Sequence, residues 1–213
     1  MSNIVSVPNP RNWVNAGRDL RSRSRGLAIA SAFYSPKNHS VISLWGVAAF
    51  CHLTLCEGDP NVLAYRPIRA RDLTSRQMRQ LADVSFANGT HETWVFSSNF
   101  PAKKSAIFDG INEPFVWKTA EELATKTILI SNWICLRACM SRIRDISTYA
   151  ERAVIDEILA RDEEITLRHL VESPGIDYGA MLGEIASQLA RGELHTELEA
   201  CHFDLLSTIS RRQ

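Results

Sequence analysis

The longest apolar segment of the chain runs from Val41 to Leu55 and constrains the fold more than any other feature. Four small or polar residues interrupt it: Ser43, Gly46, His52 and Thr54. It therefore lacks the run of about 18 or more apolar residues that a membrane-spanning helix needs. Its length and its alanine and leucine content favour a buried helix over residues 41–56, which Gly58 and Pro60 would end.

The next part of the chain has the alternating pattern of β-strands. Residues 62–68 alternate and predict a strand that Pro67 stops. Short strands are predicted over 81–86 and 92–96, and Asn88-Gly89 lies between them. This dipeptide is a strong hairpin signal because both residue types tolerate positive φ. The first half of the chain is therefore predicted to be an α/β domain.

The second half is predicted to be mainly helical. Thr119 and Glu122 have the spacing of a capping box, which predicts a long helix from there to about residue 144. Amphipathic helices are predicted over 149–159, 166–170 and 177–192, and short strands over 194–198 and 203–206. Helices followed by such strands are typical of a winged-helix module. The predicted organisation is an arm (1–40), an α/β domain (41–146) and a helical domain (147–213).

Charge is unevenly distributed although the formal net charge is zero. No Asp or Glu occurs from Leu20 to Cys56, whereas residues 151–200 hold twelve acids against four arginines, a balance of −8. The basic residues in the first half are suited to bind DNA phosphates, with an affinity that depends on salt concentration. The alternative is that they only form a basic, soluble surface. The candidate DNA contacts are Arg21, Arg23, Arg25, Lys37, Arg69 and Arg71, to which Arg66, Arg76 and Arg79 add charge.

Several other function classes find no support in the sequence. No glycine-rich phosphate loop with a following Gly-Lys-Ser/Thr occurs. The five cysteines and the absence of a leader sequence indicate reduced thiols and a cytoplasmic location. We interpret Cys51, Cys56, Cys135 and Cys139 as small buried hydrophobes. A zinc site that includes His52 is the alternative.

Seven short segments, in order, resemble the TnsA family, the strand-cutting subunit of heteromeric transposases. They are Arg21–Gly26, Ser35–Lys37, Leu55–Val62, Tyr65–Pro67, Leu81–Val84, Phe115–Leu123, and the pair Ile165–Leu170 and Leu189–Leu194. The resemblance implies a restriction-endonuclease-like core of the PD-(D/E)xK type and a C-terminal winged-helix-like domain. It also implies DNA, a transposase subunit and a transposition ATPase as partners.

The resemblance also implies a magnesium-dependent nuclease centre, of which Asp83 matches one residue. The family's helix glutamate would fall near Ala48 or Ala49, and its Glu/Gln-x-Lys near Val95-Phe96-Ser97. Neither is present, and a single carboxylate binds Mg²⁺ poorly. We therefore expect a degenerate centre without a cofactor, in which Asp83 is a strand-edge acid and Glu57 an ordinary helix-end residue.

Three functions follow as hypotheses. The first is a DNA-associated accessory or scaffold subunit of a transposition complex. The second is an active endonuclease whose relocated site combines Glu57, Asp83, Glu92 and Lys103 around Mg²⁺. The third is a regulatory protein of a mobile element. The third predicted helix carries Asp177, Glu184 and Gln188, and its acids would repel phosphates. We therefore expect the C-terminal domain to be a protein-binding or packing unit rather than a reader of DNA.

Overall fold

The computed structural model describes residues 30–98, 108, 111 and 114–212. Within these ranges the chain is a mixed α/β protein, and its main sheet contains both antiparallel and parallel strands. Four of the candidate functional residues, Arg21, Arg23, Arg25 and Lys103, lie outside the described residues.

The segment predicted as one helix over 41–56 is a strand followed by a helix, so the prediction is wrong in its first part. Strand β1 (Ala30–Ser35) pairs antiparallel with β2 (Ser40–Trp45), and helix α1 begins only at Val47 and ends at Gly58. Gly46 separates strand from helix with φ of 91°, a value that glycine adopts without strain. The first ten residues of the described chain, 30–39, fall within the predicted arm and include β1.

Four strands form the main sheet in the order β3-β4-β5-β6. Their bounds are β3 Val62–Arg71, β4 Met78–Phe86, β5 His91–Ser97 and β6 Phe115–Thr119. The first three form an antiparallel meander, and β6 runs parallel to β5. The predicted strands are confirmed but longer, and Pro67 does not stop β3. It pairs with Ala82 on an edge strand, where the missing N–H is tolerated.

The Asn88-Gly89 hairpin between β4 and β5 is confirmed. Only Gly89 has a positive φ, 82°, and its N–H donates to the Phe86 carbonyl at 3.0 Å. Asn88 accepts the Thr90 N–H instead, at 3.0 Å. The turn sequence therefore fixes the hairpin locally.

The predicted long helix after Thr119 is divided. Both predicted capping bonds are present: the Glu122 N–H donates to Thr119 Oγ1 at 3.3 Å, and the Thr119 N–H donates to Glu122 Oε2 at 3.5 Å. They lie at the start of a short 3₁₀ helix, Glu121–Leu123. Helix α2 begins afterwards, at Thr127, and ends at Arg142.

The C-terminal part contains three helices and a small sheet. The helices are α3 Tyr149–Leu159, α4 Leu167–Val171 and α5 Tyr178–Arg191. The strands are β7 Glu164–Thr166, β8 Leu194–His195 and β9 Thr208–Arg211, in the order β7-β9-β8. The Asp177 cap and the Gly192 end of α5 are confirmed. The predicted strand over 203–206 is wrong, because the pairing strand starts later.

Three apolar clusters hold these elements together. The first joins α1 and the β1–β2 hairpin to one face of the main sheet, through residues such as Leu44, Leu53 and Val84. The second, around Phe108, covers the opposite face. The third packs α3, α4, α5 and the small sheet against α2. The two faces of the main sheet are therefore covered by different elements. Each candidate residue on a strand lies on one of these two faces.

Candidate nucleic-acid interface

Asp83 lies on the sheet face opposite α1. Its neighbours in β4, Ala82 and Val84, are buried against α1, and side chains alternate along a strand. Its cross-strand partners are Arg66 on β3 and Thr93 on β5. Asp83 Oδ2 accepts a hydrogen bond from Arg66 Nη2 at 2.7 Å, and Oδ1 accepts one from the Thr93 hydroxyl at 3.3 Å. The carboxylate is therefore neutralised by an arginine rather than joined by another acid.

The described residues around Asp83 do not form a metal site. The next β4 residues on its face are Leu81 and Ser85, which pair with Val95 and His91. The positions expected for the missing anchors are apolar core, since Ala49 and Val95 are fully buried. Among the described residues, no group of three His, Cys, Asp or Glu is placed to hold a metal ion.

The alternative set of catalytic residues is not brought together. Glu92 pairs with Val84 and therefore faces α1, on the opposite side of the sheet from Asp83. Glu57 hydrogen-bonds Tyr65, which also pairs with Val84 and lies on that same side. The sheet thus separates Asp83 from both glutamates, and Lys103 lies outside the described residues.

Glu57 is a buried polar centre rather than an ordinary helix-end acid, so that expectation is wrong. Its side chain has no exposed surface. It accepts hydrogen bonds from Ser35 Oγ at 2.5 Å, from Lys37 N at 3.2 Å and from the Tyr65 hydroxyl. A buried carboxylate requires such donors, and these tie α1 to β1 and β3.

Lys37, a predicted DNA contact, is engaged with the protein backbone. Its Nζ donates to the carbonyls of Asp59 at 2.9 Å and Val62 at 2.5 Å, just after the C-terminal end of α1. Burial lowers its pKa, although the Glu57 and Asp59 carboxylates oppose this. Two of the three Nζ donors are therefore used within the fold.

Arg69 and Arg71 lie on a part of the β3–β4 hairpin that extends past β5. Pairing of β4 with β5 ends at Leu81, whereas β3 and β4 continue pairing to Arg71 and Met78. We call residues 69–80 the arginine ribbon, because its arginines are Arg69, Arg71, Arg76 and Arg79. Arg69, Arg71 and Arg76 are exposed.

The acids of the hairpin are already paired with its own arginines. The hairpin (62–86) holds five arginines and two aspartates. Asp72 lies 3.6 Å from Arg79 Nε, and Asp83 bonds Arg66. Burial by itself would raise the pKa of Asp72. Hydrogen bonds from Ser75 and Thr74 and the positive charge of Arg79 outweigh burial and hold the pKa below its ordinary value. In the part of the chain that the structure describes, Arg69, Arg71 and Arg76 form no ion pair.

Arg69 also contacts an aromatic ring that sequence reasoning missed. Its guanidinium carbon lies 4.4 Å from the centroid of the Trp45 ring, a cation–π distance. Trp45 was assigned to a helix, but it ends strand β2. The β-branched Val41 and Ile42 before Gly46 are a weak strand signal, because the same apolar run also suits a helix.

The C-terminal helix α5 packs inward. Glu184 and Gln188 are buried, and Glu184 accepts hydrogen bonds from Thr148 Oγ1 at 2.7 Å and Gln188 Nε2 at 2.9 Å. The premise that Glu184 faces DNA and repels it is therefore wrong. Helix α5 is a core element, with Met181 and Ile185 fully buried.

The cysteine and membrane predictions have simple outcomes. Cys56 is buried, but Cys135 is exposed, so the prediction of buried cysteines is wrong there. His52 Nε2 donates to the Thr119 carbonyl at 2.9 Å rather than joining Cys51 or Cys56 around a metal.

None of the helices in the described ranges combines the length and apolar character that crossing a membrane demands.

Comparison with protein-family models, curated proteins and solved structures found no match for this chain.

Proposed function

We propose that this protein is a TnsA-like accessory subunit of a transposition complex, which holds duplex DNA through the arginine ribbon and does not cut it. The observation that carries the proposal is the charge arrangement of the β3–β4 hairpin. Both of its aspartates are paired with its own arginines, so Arg69, Arg71 and Arg76 remain exposed for phosphates.

The shape of the ribbon suits this role. A two-stranded β-ribbon fits the major groove of duplex DNA, and exposed arginines beside it bind phosphates without reading sequence. Leu73 and Met78 are also exposed at this end of the hairpin. The ribbon therefore presents positive charge on two paired strands, and its Ala70 and Asp72 are buried beside Phe108.

The element order supports a restriction-endonuclease-like core as the origin of this surface. Helix α1 precedes the strands, and Asp83 stands on β4 with β5 as its hairpin partner, which is the order that the family resemblance implies. A catalytic role for Asp83 has no such support. Its cross-strand neighbours are Arg66 and Thr93, and neither supplies the further carboxylate that a Mg²⁺ centre needs.

The C-terminal helices and small sheet are proposed as a winged-helix-like module that binds the transposase subunit or the transposition ATPase. The balance of −8 over residues 151–200 supports a protein partner over DNA for this part. The complex would assemble in the cytoplasm, and neither Mg²⁺ nor another cofactor has a role in it.

Duplex binding measured over a series of salt concentrations tests the proposal. Replacing Arg69, Arg71 and Arg76 together by glutamine should lower the slope of log K against log salt by about 0.9 for each lost phosphate contact. Arg168→Gln, an exposed arginine on α4, is the matched control and should leave the slope unchanged. An unchanged slope in the triple variant would contradict the proposed interface.

Plasmid nicking with Mg²⁺ or Mn²⁺ tests the absence of catalysis. We expect no cleavage by the wild-type protein, and undiminished duplex binding by Asp83→Asn. Metal-dependent nicking that disappears in Asp83→Asn would instead establish an active endonuclease.

A further inference from the structure

The outward face of the β1–β2 hairpin carries two half-buried aromatic rings, and among the described residues no helix or strand covers the exposed Val41 between them. Ile42 and Leu44 face the core, so Val41, Ser43 and Trp45 lie on the other side of β2. Tyr34 pairs with Val41 and therefore shares that outward face. Val41 is 67% exposed, and Trp45 on this face contacts Arg69 of the arginine ribbon.

Each ring on this face is accompanied by an arginine from elsewhere in the chain. Arg69 of the ribbon lies over Trp45 at 4.4 Å, and Arg144, after α2, lies over Tyr34 at 5.3 Å. Arg144 also bonds Asp145 at 2.9 Å, so part of its charge is offset. No carboxylate pairs with Arg69 in the described ranges.

This pairing of rings with guanidinium groups suits nucleic acid better than an apolar protein surface. A guanidinium stacked on a ring keeps donors available for a phosphate and presents a second flat face to a base. Covering the same face with apolar side chains would bury the Arg69 guanidinium, which has no carboxylate partner among the described residues. Residues 30–56 contain no Asp or Glu, so the strands themselves add no repulsion.

The spacing of the two rings fits a short single strand. Tyr34 stands opposite Val41, and Trp45 is four residues further along β2, which corresponds to about 13 Å at ~3.3 Å per residue. A stacked nucleic-acid strand advances by about 3.4 Å per nucleotide, so the rings span about four nucleotides. Arg69 belongs to both surfaces and makes the face continuous with the ribbon.

We propose that the Tyr34–Trp45 face of the β1–β2 hairpin binds unpaired nucleotides of single-stranded DNA that extend from a duplex held on the arginine ribbon. This inference rests on the proposed function, because the ribbon is what places the duplex end beside the face. It goes further by naming the substrate class: a DNA end or junction with an unpaired strand.

Binding of matched fluorescent probes tests this inference with the full chain. The probes are a blunt duplex, the same duplex with an oligothymidine overhang, and oligothymidine alone. Because one stacked base contributes enough free energy for about a fivefold or larger change in affinity, the overhang should tighten binding by at least about fivefold.

Paired variants separate stacking from folding. Tyr34→Leu should lower the overhang gain and leave blunt-duplex affinity unchanged. Trp45→Leu also removes the ring beside Arg69, so it should lower the overhang gain by a larger factor than it lowers blunt-duplex affinity. Trp45→Phe and Tyr34→Phe should retain most of the gain. Tyr149→Leu, which removes an aromatic side chain that is 82% exposed, is the control and should change nothing. Circular dichroism spectra check that every variant is folded.

The outcomes distinguish the two proposals. A blunt duplex that binds with no overhang gain overturns the stacking face and leaves the ribbon standing. A gain that survives both leucine variants, or that is larger with a ribonucleotide overhang, also overturns it. Binding of oligothymidine without duplex binding contradicts the ribbon but supports the face, and binding of no probe contradicts both.

Discussion

At the scale of single residues, the buried Glu57 carboxylate determines how three elements meet. Its donors are Ser35 of β1, the Lys37 backbone and Tyr65 of β3. Burial, followed by the Glu57 charge, raises the pKa of Tyr65 above its ordinary value, so the hydroxyl remains a donor. Arg137, whose guanidinium lies 3.8 Å from the Phe33 ring centroid, adds positive charge nearby.

Tyr65→Phe tests the contribution of this centre to stability. Removing a hydrogen bond to a charged group should lower the free energy of unfolding in urea by about 1.5–3 kcal/mol. Tyr149→Phe, at an exposed tyrosine, is the matched control and should stay within about 0.5 kcal/mol of wild type. Equal losses in both variants would show that the Glu57 bond contributes nothing specific.

His52 should make stability depend on pH. Burial lowers its pKa below the ordinary 6.5, so the neutral ring is favoured in the folded state. The unfolded chain therefore binds a proton more readily than the folded protein. The free energy of unfolding should fall as pH drops from about 6.5 towards the folded-state pKa of His52, by up to ~1.4 kcal/mol per pH unit. Unfolding free energies of wild type and His52→Gln, measured above and below that window, should show a smaller pH dependence in the variant. An identical pH dependence would contradict this assignment.

At the scale of elements, the contact between α5 and the end of α2 depends on glycine. A Cβ at Gly183 would lie 2.4 Å from Ile143 Cγ2 and 3.1 Å from the Cys139 carbonyl oxygen. At Gly179, in the same helix, the nearest atom would be Asp177 Oδ1 at 3.3 Å. Gly183 is thus required by packing, whereas a Cβ at Gly179 requires only a shift of a few tenths of an ångström from the Asp177 carboxylate.

Alanine at these two positions should have opposite effects. Gly183→Ala should lower stability by about 1–3 kcal/mol, because overpacking outweighs the better helix propensity of alanine. Gly179→Ala should be neutral or stabilising by up to about 1 kcal/mol. Thermal or urea unfolding measures both, and a stabilised Gly183→Ala would contradict the close packing.

At the scale of the whole molecule, α2 connects the sheet to the C-terminal part. Trp133, Leu136 and Met140 of α2 belong to the C-terminal cluster, although they precede the predicted boundary at residue 146. Trp133 also packs on Gly58 of α1, where a Cβ would lie 1.9 Å from its indole ring. The two predicted domains therefore share a helix.

We expect this shared helix to make unfolding cooperative. Met181→Ala, in the C-terminal core, should lower stability by about 2–5 kcal/mol. It should also reduce native-state hydrogen-exchange protection of β4 amides, which are far away in sequence. Loss of protection confined to α3, α4 and α5 would show that the two parts unfold independently.

Local sequence signals determined the features whose cause is local. Asn88-Gly89 fixed the β4–β5 hairpin, and Asp177 with Gly192 fixed both ends of α5, because each acts on backbone within a few residues. Composition alone also indicated an arginine-rich surface that includes Arg69 and Arg71.

Tertiary structure decided what depends on residues distant in the chain. The apolar pattern before Gly46 suits a helix or a strand, and pairing with β1 made it a strand. Glu57 and Glu184 are acids that sequence alone places on the surface, yet distant donors, Ser35 and Thr148 among them, allow both to be buried. The sheet register likewise placed Asp83 beside Arg66 and away from the glutamates, since alternation along paired strands sets which side chains share a face.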